Sequence, residues 1–206
     1  MTDGQKYQLR RESIDPDPIK QFSRWLQDAE QAELPQPTAM TLATSNQQGK
    51  PSARIVLLRG VDERGFVFFT NYQSRKAADL LENPNAALVF CWLTLGRQIR
   101  VEGRVEKVGT KESDAYFANR PRGHQLEAHA SSQSQIIPDR TSLESAFNAV
   151  SQRFEEQDVP RPMHWGGYRV VPEMLEFWQE GEHRLHDRLR YRRDAVNDWV
   201  VERLSP

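Results

Sequence analysis

The first half of the chain contains strand-like segments that follow one another with only turn residues between them. The segments "TAMTLAT", "SARIVLL" and "FVFFTN" are rich in β-branched and apolar residues, and "SNQQGK" and "GVDERG" between them are typical of turns. A parallel sheet needs a crossover connection, usually a helix, between successive strands. The direct succession of strands therefore predicts antiparallel pairing.

Further strand-like runs continue this pattern to the end of the chain. "AALVFCWL" and "RQIRVEGRVEKV" come next, and "GGYRVVPEMLEFW", "HRLHDRLRYRR" and "WVVERL" follow later. With helices between some of them, these runs predict a mainly β fold with helices (α+β), an antiparallel sheet closed into a barrel. The motifs G-x-G-x-x-G and G-x-x-x-x-G-K-[ST] do not occur, which excludes the two commonest glycine-loop nucleotide sites.

The helices are predicted from apolar periodicity and from capping residues. Asp17 caps a first helix, Ser74 caps a short helix in "SRKAADLLENP", and "KESDAYFANRP" forms another. Thr141 and Glu144 form a capping box at the start of a fourth helix. Residues 122–138 show no clear period, so we predict a functional loop there.

Length and charge indicate one domain and a small ligand. The 206 residues suit a single domain, which we place at residues 15–206 after a flexible segment, residues 1–14. The 28 Lys+Arg against 29 Asp+Glu do not favour a nucleic-acid partner, whereas local clusters of cations favour a small anion. The single cysteine, Cys91, and the lack of a long apolar run predict a cytoplasmic protein that does not enter a membrane.

The most basic segment is "EFWQEGEHRLHDRLRYRR", residues 176–193. Its second part alternates cationic and apolar residues as a strand does, and one face would carry Arg184, His186, Arg188, Arg190 and Arg192. His183 and His186 would then lie on opposite faces, so we predict no metal site. Charges on an edge strand also deter aggregation, so a solvated edge is the alternative for this segment taken alone.

Three other basic groups lie at the ends of predicted elements. Arg54 and Arg59 flank an apolar strand, while Arg75 and Lys76 begin a helix, where N–H groups and the dipole favour phosphate. A third group, near a helix end, consists of Tyr116, Arg120 and Arg122. Each group alone is typical of a protein surface, but together with the segment above they predict at least two phosphate pockets.

The basic groups occur within longer segments that resemble the pyridoxine/pyridoxamine 5′-phosphate oxidases. These segments are "RIVLLRG", "FVFFTNYQSRKAADL", "RQIRVEG", "YFANRPRGHQ", "SSQSQIIPDR", "HWGGYRV" and "EFWQEGEHRLHDRLRYRR", and they cover the chain from about residue 15 in the family's order. The most specific are "SRKA" and "EFWQ" with "RLHDR". The resemblance implies an FMN-binding split barrel that works as a homodimer, with the flavin at the interface of the two subunits.

The resemblance also implies site residues. FMN contacts would be Arg54, Ile55, Val56, Leu57, Leu58, Arg59, Phe69, Thr70, Arg75, Lys76, Gln98, Gln133, Ser134, Trp178 and Arg188. Substrate contacts would be Arg59, Tyr116, Arg120, His124, Arg184 and His186, of which Arg184 and His186 are the catalytic candidates beside the flavin. The implied reaction is hydride removal from C4′ of pyridoxamine or pyridoxine 5′-phosphate by the flavin, with O2 reduced to H2O2.

Some positions depart from the family's pattern, and two other functions stay open. Arg59 stands where the family usually has lysine, His124 where a serine is common, and Glu127 and His129 where it favours glycine and an apolar residue. These changes concern substrate preference more than flavin binding. The alternatives are a related split-barrel oxidase of another aromatic substrate, such as those of phenazine pathways, and a flavin- or vitamer-binding barrel without turnover.

Overall fold

The computed structural model describes residues 8–206, and these form nine strands and five α-helices. The helices are α1 (Pro18–Gln31), α2 (Arg75–Glu82), α3 (Thr110–Ala118), α4 (Arg122–Ala130) and α5 (Arg140–Arg153). The strands are β1 (Ala39–Ser45), β2 (Pro51–Leu57), β3 (Gly60–Asp62), β4 (Gly65–Asn71), β5 (Asn85–Trp92), β6 (Arg97–Lys107), β7 (Trp165–Gln179), β8 (Asp187–Arg193) and β9 (Trp199–Arg203).

All the strands belong to one sheet, and every pairing is antiparallel, as predicted. The order is β2-β1-β5-β6-β7-β4-β3, and β8 and β9 branch from β7. The branch exists because β7 pairs with β4 through residues 165–170 and with β8 through residues 174–179, while β6 runs along its other edge. The long strand β7 therefore belongs to both halves of a curled sheet that splits around it.

A β-bulge in β6 lies opposite the point where the sheet divides. The register between β6 and β7 shifts between Glu102 and Gly103, and Gly103 faces Pro172. A Cβ atom at position 103 would lie 2.0 Å from the carbonyl oxygen of Val171, so only glycine fits this approach. The bulge lets β6 stay paired along the whole of β7 while the sheet bends.

Helix α1 covers the main core of the barrel. Its cap is confirmed, because Asp17 Oδ1 accepts a hydrogen bond from the Ile19 N–H at 2.8 Å. Phe22, fully buried, packs edge-on against Phe66 of β4 at 4.8 Å and also contacts Phe90 of β5. The apolar face of α1 thus joins strands from both halves of the sheet, which is where hydrophobic burial stabilises the fold most.

A second, smaller core lies under helices α3, α4 and α5. Its buried members are Phe117, Leu126, Ala128, Phe154, Val159 and Trp165. This cluster attaches the helical side of the molecule to the first residue of β7. The functional residues on α3 and α4 are therefore held against the sheet by packing of their own.

Two predictions about the helical region are wrong. Residues 122–138 begin with helix α4 rather than forming a loop throughout, and only two residues of α4, Leu126 and Ala128, are buried. Two buried residues are too few to produce a recognisable helical period of apolar residues in the sequence. The cap of α5 is Asp139, whose carboxylate accepts from the Ser142 N–H at 2.7 Å, while Thr141 lies inside the helix.

The strand predicted from His183 onward begins only at Asp187. Glu182, His183 and Arg184 form a short 3-10 turn in which His183 and Arg184 have φ values of 54° and 63°. Left-handed backbone cannot continue a strand, so Arg184 and His186 do not share a strand face with Arg188. The alternation of cationic and apolar residues is confirmed from Asp187 onward, where Leu189 and Tyr191 are the buried members.

Part of the segment predicted to be flexible, residues 1–7, lies outside the described residues. Beyond it, Leu9 is buried, and its N–H donates to Asp187 Oδ2 at 3.0 Å. The carbonyl of Leu9 accepts from Arg203 Nη2 at 2.8 Å, and Arg203 also pairs with Asp187. These contacts attach residues 8–14 to β8 and β9.

Candidate active site

A cleft of about 900 Å³ lies between strands β2 and β4, the first turn of α2, the end of α3, the start of α4 and the loop after α4. It brings together most of the residues that the sequence predicts for the site: Arg54, Ile55, Val56, Leu57, Arg59, Phe69, Thr70, Arg75, Lys76, Tyr116, Arg120, His124, Gln133 and Ser134. Ser52, Ala53, Asn119, Pro121 and Trp165 complete the lining. Residues distant in sequence thus form one concave, cation-rich surface.

Lys76 is the most buried cation of the cleft. Its ammonium Nζ donates to Gln133 Oε1 at 2.7 Å and to Thr70 Oγ1 at 3.0 Å. Burial, with a smaller contribution from the nearby Arg54, lowers the pKa of Lys76 to about 8. Both of these acceptors are neutral oxygen atoms. An anion bound beside the ammonium would therefore raise its pKa back toward the usual value.

Arg54 is held by a buried network behind the cleft. Its Nη1 donates to Thr44 Oγ1 at 2.8 Å, and its Nη2 donates to Ser52 Oγ at 2.6 Å. The Thr44 hydroxyl donates in turn to Asp79 Oδ2 at 2.6 Å, and Asp79 lies 3.8 Å from Arg54. Burial lowers the pKa of Arg54. This role of Asp79 was not predicted, since an acidic residue in an amphipathic helix is usually solvent-exposed.

The start of α2 adds N–H donors beside these cations. Ser74 is the N-cap residue by position, but its hydroxyl donates to the Asn71 carbonyl at 2.7 Å and does not cap the helix. Arg75 follows at the first position of the helix and lines the cleft. Backbone N–H groups, Arg75 and Lys76 therefore converge on one end of the cleft, an arrangement that suits a phosphate.

Arg120 dominates the other end of the cleft. Its Nη1 is buried and has no hydrogen-bond partner among residues 8–206, and burial lowers the pKa of Arg120. Arg59 and His124 are exposed and also line this part of the cleft. Tyr116 stacks on Phe69 at 3.8 Å, with the ring planes within 6°. Cations and a flat aromatic wall suit a planar, anionic ligand.

Arg122 does not belong to this group, contrary to the sequence interpretation. Its guanidinium turns away from the cleft and donates to the carbonyl oxygens of Phe154 and Gln157, the latter at 3.1 Å. These carbonyls follow the end of α5. Arg122 therefore fastens α4 to α5, and its role is structural.

The remaining predicted residues do not line the cleft of the same chain. Leu58 is buried, 4% exposed, in the main core. Gln98, Trp178 and Arg188 are partners in register on β6, β7 and β8, and they form a row across the sheet. The buried Phe177 and Leu189 alternate with them, so this row lies on the face away from the core.

Arg184 and His186 precede that row. Arg184 is exposed on the 3-10 turn, and the His186 ring lies 4.6 Å from the Trp178 ring. His186 Nδ1 accepts a hydrogen bond from the Gly181 N–H at 3.2 Å. We call Gln98, Trp178, Arg184, His186 and Arg188 the outer group. The structure brings the cleft residues together and the outer group together, but as two separate sets.

A metal-binding cluster and a membrane-spanning helix each have a simple structural requirement. Among residues 8–206, no three or more histidine, cysteine, aspartate and glutamate side chains are grouped so that they could hold a metal ion. None of the helices described has the length and apolar character needed to span a bilayer.

Comparisons with known proteins agree with the fold. The family model described as "Pyridoxamine 5'-phosphate oxidase" matches residues 26–154, and "Pyridoxine 5'-phosphate oxidase C-terminal dimerisation region" matches residues 165–206. Proteins named pyridoxine/pyridoxamine 5′-phosphate oxidase are similar along almost the whole chain. The one from Burkholderia ambifaria is 56% identical, covering 96% of this chain and 93% of its own, and that from Salinibacter ruber is 54% identical, covering 97% and 94%.

Solved structures confirm the split-barrel fold. PhzG from Burkholderia lata, in complex with tetrahydrophenazine-1-carboxylic acid, has a TM-score of 0.91 and 33% identity, covering 97% of this chain and 98% of its own. A pyridoxamine 5′-phosphate oxidase-related, FMN-binding protein from Nostoc punctiforme has a TM-score of 0.73 at 15% identity, over 94% of this chain and all of its own. The second likeness concerns the fold alone.

Proposed function

The chain belongs to the pyridoxamine 5′-phosphate oxidase family, and on that premise we propose that it is an FMN-dependent oxidase that forms pyridoxal 5′-phosphate. Its substrates would be pyridoxamine 5′-phosphate and pyridoxine 5′-phosphate, with O2 as the electron acceptor and H2O2 as the second product. The observation that carries this proposal is a single cleft with cations at both ends, Arg54, Arg75 and Lys76 at one and Arg59 and Arg120 at the other. Two phosphate esters, one from the cofactor and one from the substrate, suit such a cleft.

The cleft residues fit FMN by size and by chemistry. A volume of about 900 Å³ is at the upper end of what small-molecule sites offer, enough for a flavin mononucleotide and a vitamer side by side. The phosphate of FMN would bind the N–H groups at the start of α2, with Arg75 and Lys76. The apolar wall of β2, including Val56 and Leu57, would face the ring system.

FMN, when bound, supplies the hydride acceptor and the route for electrons to O2. The protein's own contribution is to orient the substrate and to neutralise its phosphate. Arg120 and Arg59 would bind that phosphate, and Tyr116 would limit the tilt of the pyridine ring. His124 lies at the same end of the cleft and would reach the phosphate from α4.

The outer group would complete the site from a second protomer. Arg184, His186, Trp178 and their neighbours do not line the cleft of their own chain, and they lie in the region that matches a dimerisation model. Apolar side chains are exposed beside both sets, Ile55 at 65% next to the cleft and Leu185 at 71% in the turn. A homodimer in which each cleft faces the other protomer's outer group would cover both.

Within the outer group, His186 would act as a hydrogen-bond donor at the reacting end of the substrate. Its Nδ1 accepts from the Gly181 N–H, so a neutral imidazole carries its proton on Nε2. That Nε2–H would donate to an oxygen of the substrate, beside the cationic Arg184. In this arrangement the C4′ amine or hydroxyl would keep its lone pair available to support hydride loss, and the proton that it then releases would pass to water rather than to a side chain.

Anaerobic reduction with each vitamer tests the proposal. The purified protein should be yellow, and pyridoxamine 5′-phosphate or pyridoxine 5′-phosphate should bleach it without oxygen, with H2O2 appearing under air. A colourless protein that does not bind added FMN would refute the oxidase function. A yellow protein that is bleached only by another aromatic substrate would favour the alternative of a related split-barrel oxidase, which the likeness to PhzG suggests. Arg59 and His124 would then be the residues that alter substrate preference.

A further inference from the structure

Trp165 lines the cleft, although the sequence did not single it out for the site. It is the first residue of β7 and lies in register with Asn71 of β4. Its N–H donates to the Pro162 carbonyl at 3.0 Å, and its own carbonyl accepts from Arg161 Nη1 at 2.6 Å. The backbone of Trp165 is therefore fixed on both sides of the indole.

The indole ring is also fixed by packing. It is 6% exposed and stacks with Phe69 at 5.5 Å, the two planes within 11°. The ring of Phe117 meets it edge-on at 5.2 Å. Residues from β4 and α3 thus hold the indole in one plane at the wall of the cleft.

The guanidinium of Arg120 lies on this ring, 4.4 Å from its centroid. Its nearest carboxylate, Glu127, is 3.9 Å away and about half exposed, too distant for a well-formed hydrogen bond. Nη1 has no partner within residues 8–206. The indole is therefore the nearest aromatic contact of the guanidinium, and the Phe117 ring lies farther away, at 5.6 Å.

A guanidinium held over an aromatic face makes this contact without using its N–H donors, which stay free for another partner. We propose that Trp165 is a positioning residue for Arg120, which it holds so that the guanidinium binds the substrate phosphate. This inference rests on the proposed function and assigns a source of substrate affinity to a residue outside the predicted set. Lysine at position 120 could not use the ring in this way, because an ammonium has no planar fork.

The test compares Trp165→Leu with Trp25→Leu in the FMN-loaded enzyme. Trp25 is a matched control: it is 5% exposed, carries the Arg97 guanidinium at 4.5 Å, and lies outside the cleft. Trp165→Leu should raise KM for pyridoxamine 5′-phosphate about 10-fold and change kcat far less, since a desolvated cation–π contact is worth about that factor. Trp25→Leu should lower the melting temperature similarly but leave KM unchanged.

A double-mutant cycle shows whether Trp165 acts through Arg120. In an Arg120→Ala background, adding Trp165→Leu should raise KM by no more than about twofold, because the guanidinium it positions is gone. Trp165→Phe keeps a ring and should give about a threefold rise, which also tests the inference if the leucine variant does not fold. FMN affinity, measured by quenching of flavin fluorescence, should stay within about threefold in all the variants.

Three results would overturn the inference: an unchanged KM in both Trp165 variants, an equal rise of KM in the Arg120→Ala background, or parallel loss of FMN. Failure of the proposed function would give a different experimental result. In that case the wild-type protein itself would not turn over either vitamer, whatever the variants do.

Discussion

The cleft and the outer group are both rich in cations, but one chain organises them very differently. In the cleft, Lys76 and Arg54 are held by buried hydrogen bonds to Thr70, Gln133 and Thr44, and burial lowers the pKa of both cations. In the outer group, Arg184 is exposed on a turn with left-handed backbone. A single chain therefore prepares the half of the proposed site that would bind phosphate and leaves open the half that would lie beside the reacting carbon.

This difference has a physical cause. Burying an ammonium such as that of Lys76, which donates to the neutral oxygen atoms of Thr70 and Gln133, costs stability, and a chain keeps such a group when an anionic ligand repays the cost on binding. Arg188, in contrast, is paired with the buried Glu176 at 2.7 Å, which raises the pKa of Arg188. The cleft thus has the features of a binding site in the isolated chain, whereas the outer group has the features of a surface awaiting a partner.

The largest effect that would test this comparison is complementation between two inactive variants. Arg120→Ala removes a cleft residue and Arg184→Ala removes an outer one, and each should lower kcat/KM by about 100-fold or more through loss of charge-assisted hydrogen bonds. If the two sets meet across a dimer, a mixed dimer contains one intact site. Mixed dimers separated from the two homodimers should then show about half of the wild-type activity.

The control for complementation is a pair of variants in the same set, Arg120→Ala with Arg59→Ala, which should restore nothing. Activity is measured on protein purified through two different affinity tags, so that only mixed dimers are assayed. If the tagged Arg120→Ala and Arg184→Ala mixture also stays inactive, the two sets do not meet across protomers, and the proposed dimer is wrong.

A second test removes the charge of Lys76. Lys76→Met should weaken FMN binding by about 30- to 100-fold, the value of a charged hydrogen bond to phosphate. The apoprotein should nevertheless melt at a higher temperature, because a buried ammonium without an anion is lost. Lys107→Met is the control, since Lys107 lies over the Tyr72 ring at 4.4 Å and outside the cleft. A lower melting temperature in apo Lys76→Met would contradict the account of a prepared site.

The pH dependence follows from the same lysine. Its pKa is about 8 in the folded apoprotein and 10.5 ordinarily, so between these values the unfolded chain binds more protons than the native one. The free energy of unfolding of the apoprotein should therefore rise with pH from about 8 to 10.5. FMN affinity should fall over the same range, by up to about 10-fold per pH unit, because phosphate needs the charged ammonium. Fluorescence titrations of wild type and Lys76→Met check this, and equal slopes would contradict it.

Much of the fold and of the cleft could be predicted because the signals are local. Strand runs joined by short turns specify antiparallel pairing, and cations at element ends, such as Arg54 and Lys76, come together once those ends meet. The predictions that were wrong concern features that depend on non-local contacts or that a misleading sequence period conceals. Cationic and apolar residues alternate through most of residues 184–192, with Asp187 as the interruption, although positive φ at His183 and Arg184 places a turn at the start of this run.

Residues that support the site were missed for a related reason. Asp79 and Trp165 have the ordinary places of a helix acid and a core aromatic, and only the tertiary structure puts them behind Arg54 and under Arg120. Arg122, two positions from Arg120, has the same residue type but binds the end of α5. Residue type and spacing could suggest a phosphate pocket, but they could not separate the arginine that lines it from the one that fastens a helix.

The smallest expected effect concerns how the outer group is held. Glu176 is 3% exposed and accepts hydrogen bonds from Arg188 at 2.7 Å and from Arg100 at 3.3 Å. The substitution Glu176→Gln would leave these two neighbouring guanidinium groups with a neutral partner. FMN affinity should weaken about 3- to 10-fold through displacement of Arg188. Glu202→Gln is the control, because Glu202 pairs with Arg190 and Arg192, which lie on the same strand as Arg188, β8.

The contrast between these two glutamates decides whether the outer group takes part in flavin binding. If Arg188 reaches the flavin of a partner protomer, Glu176→Gln should weaken binding while Glu202→Gln leaves it unchanged. Both are measured by fluorescence quenching on dimeric protein. If the two variants bind FMN equally well, the row of Gln98, Trp178 and Arg188 is only a paired sheet surface. In that case the cleft by itself would account for the affinity for FMN, and the outer group would contact only the substrate.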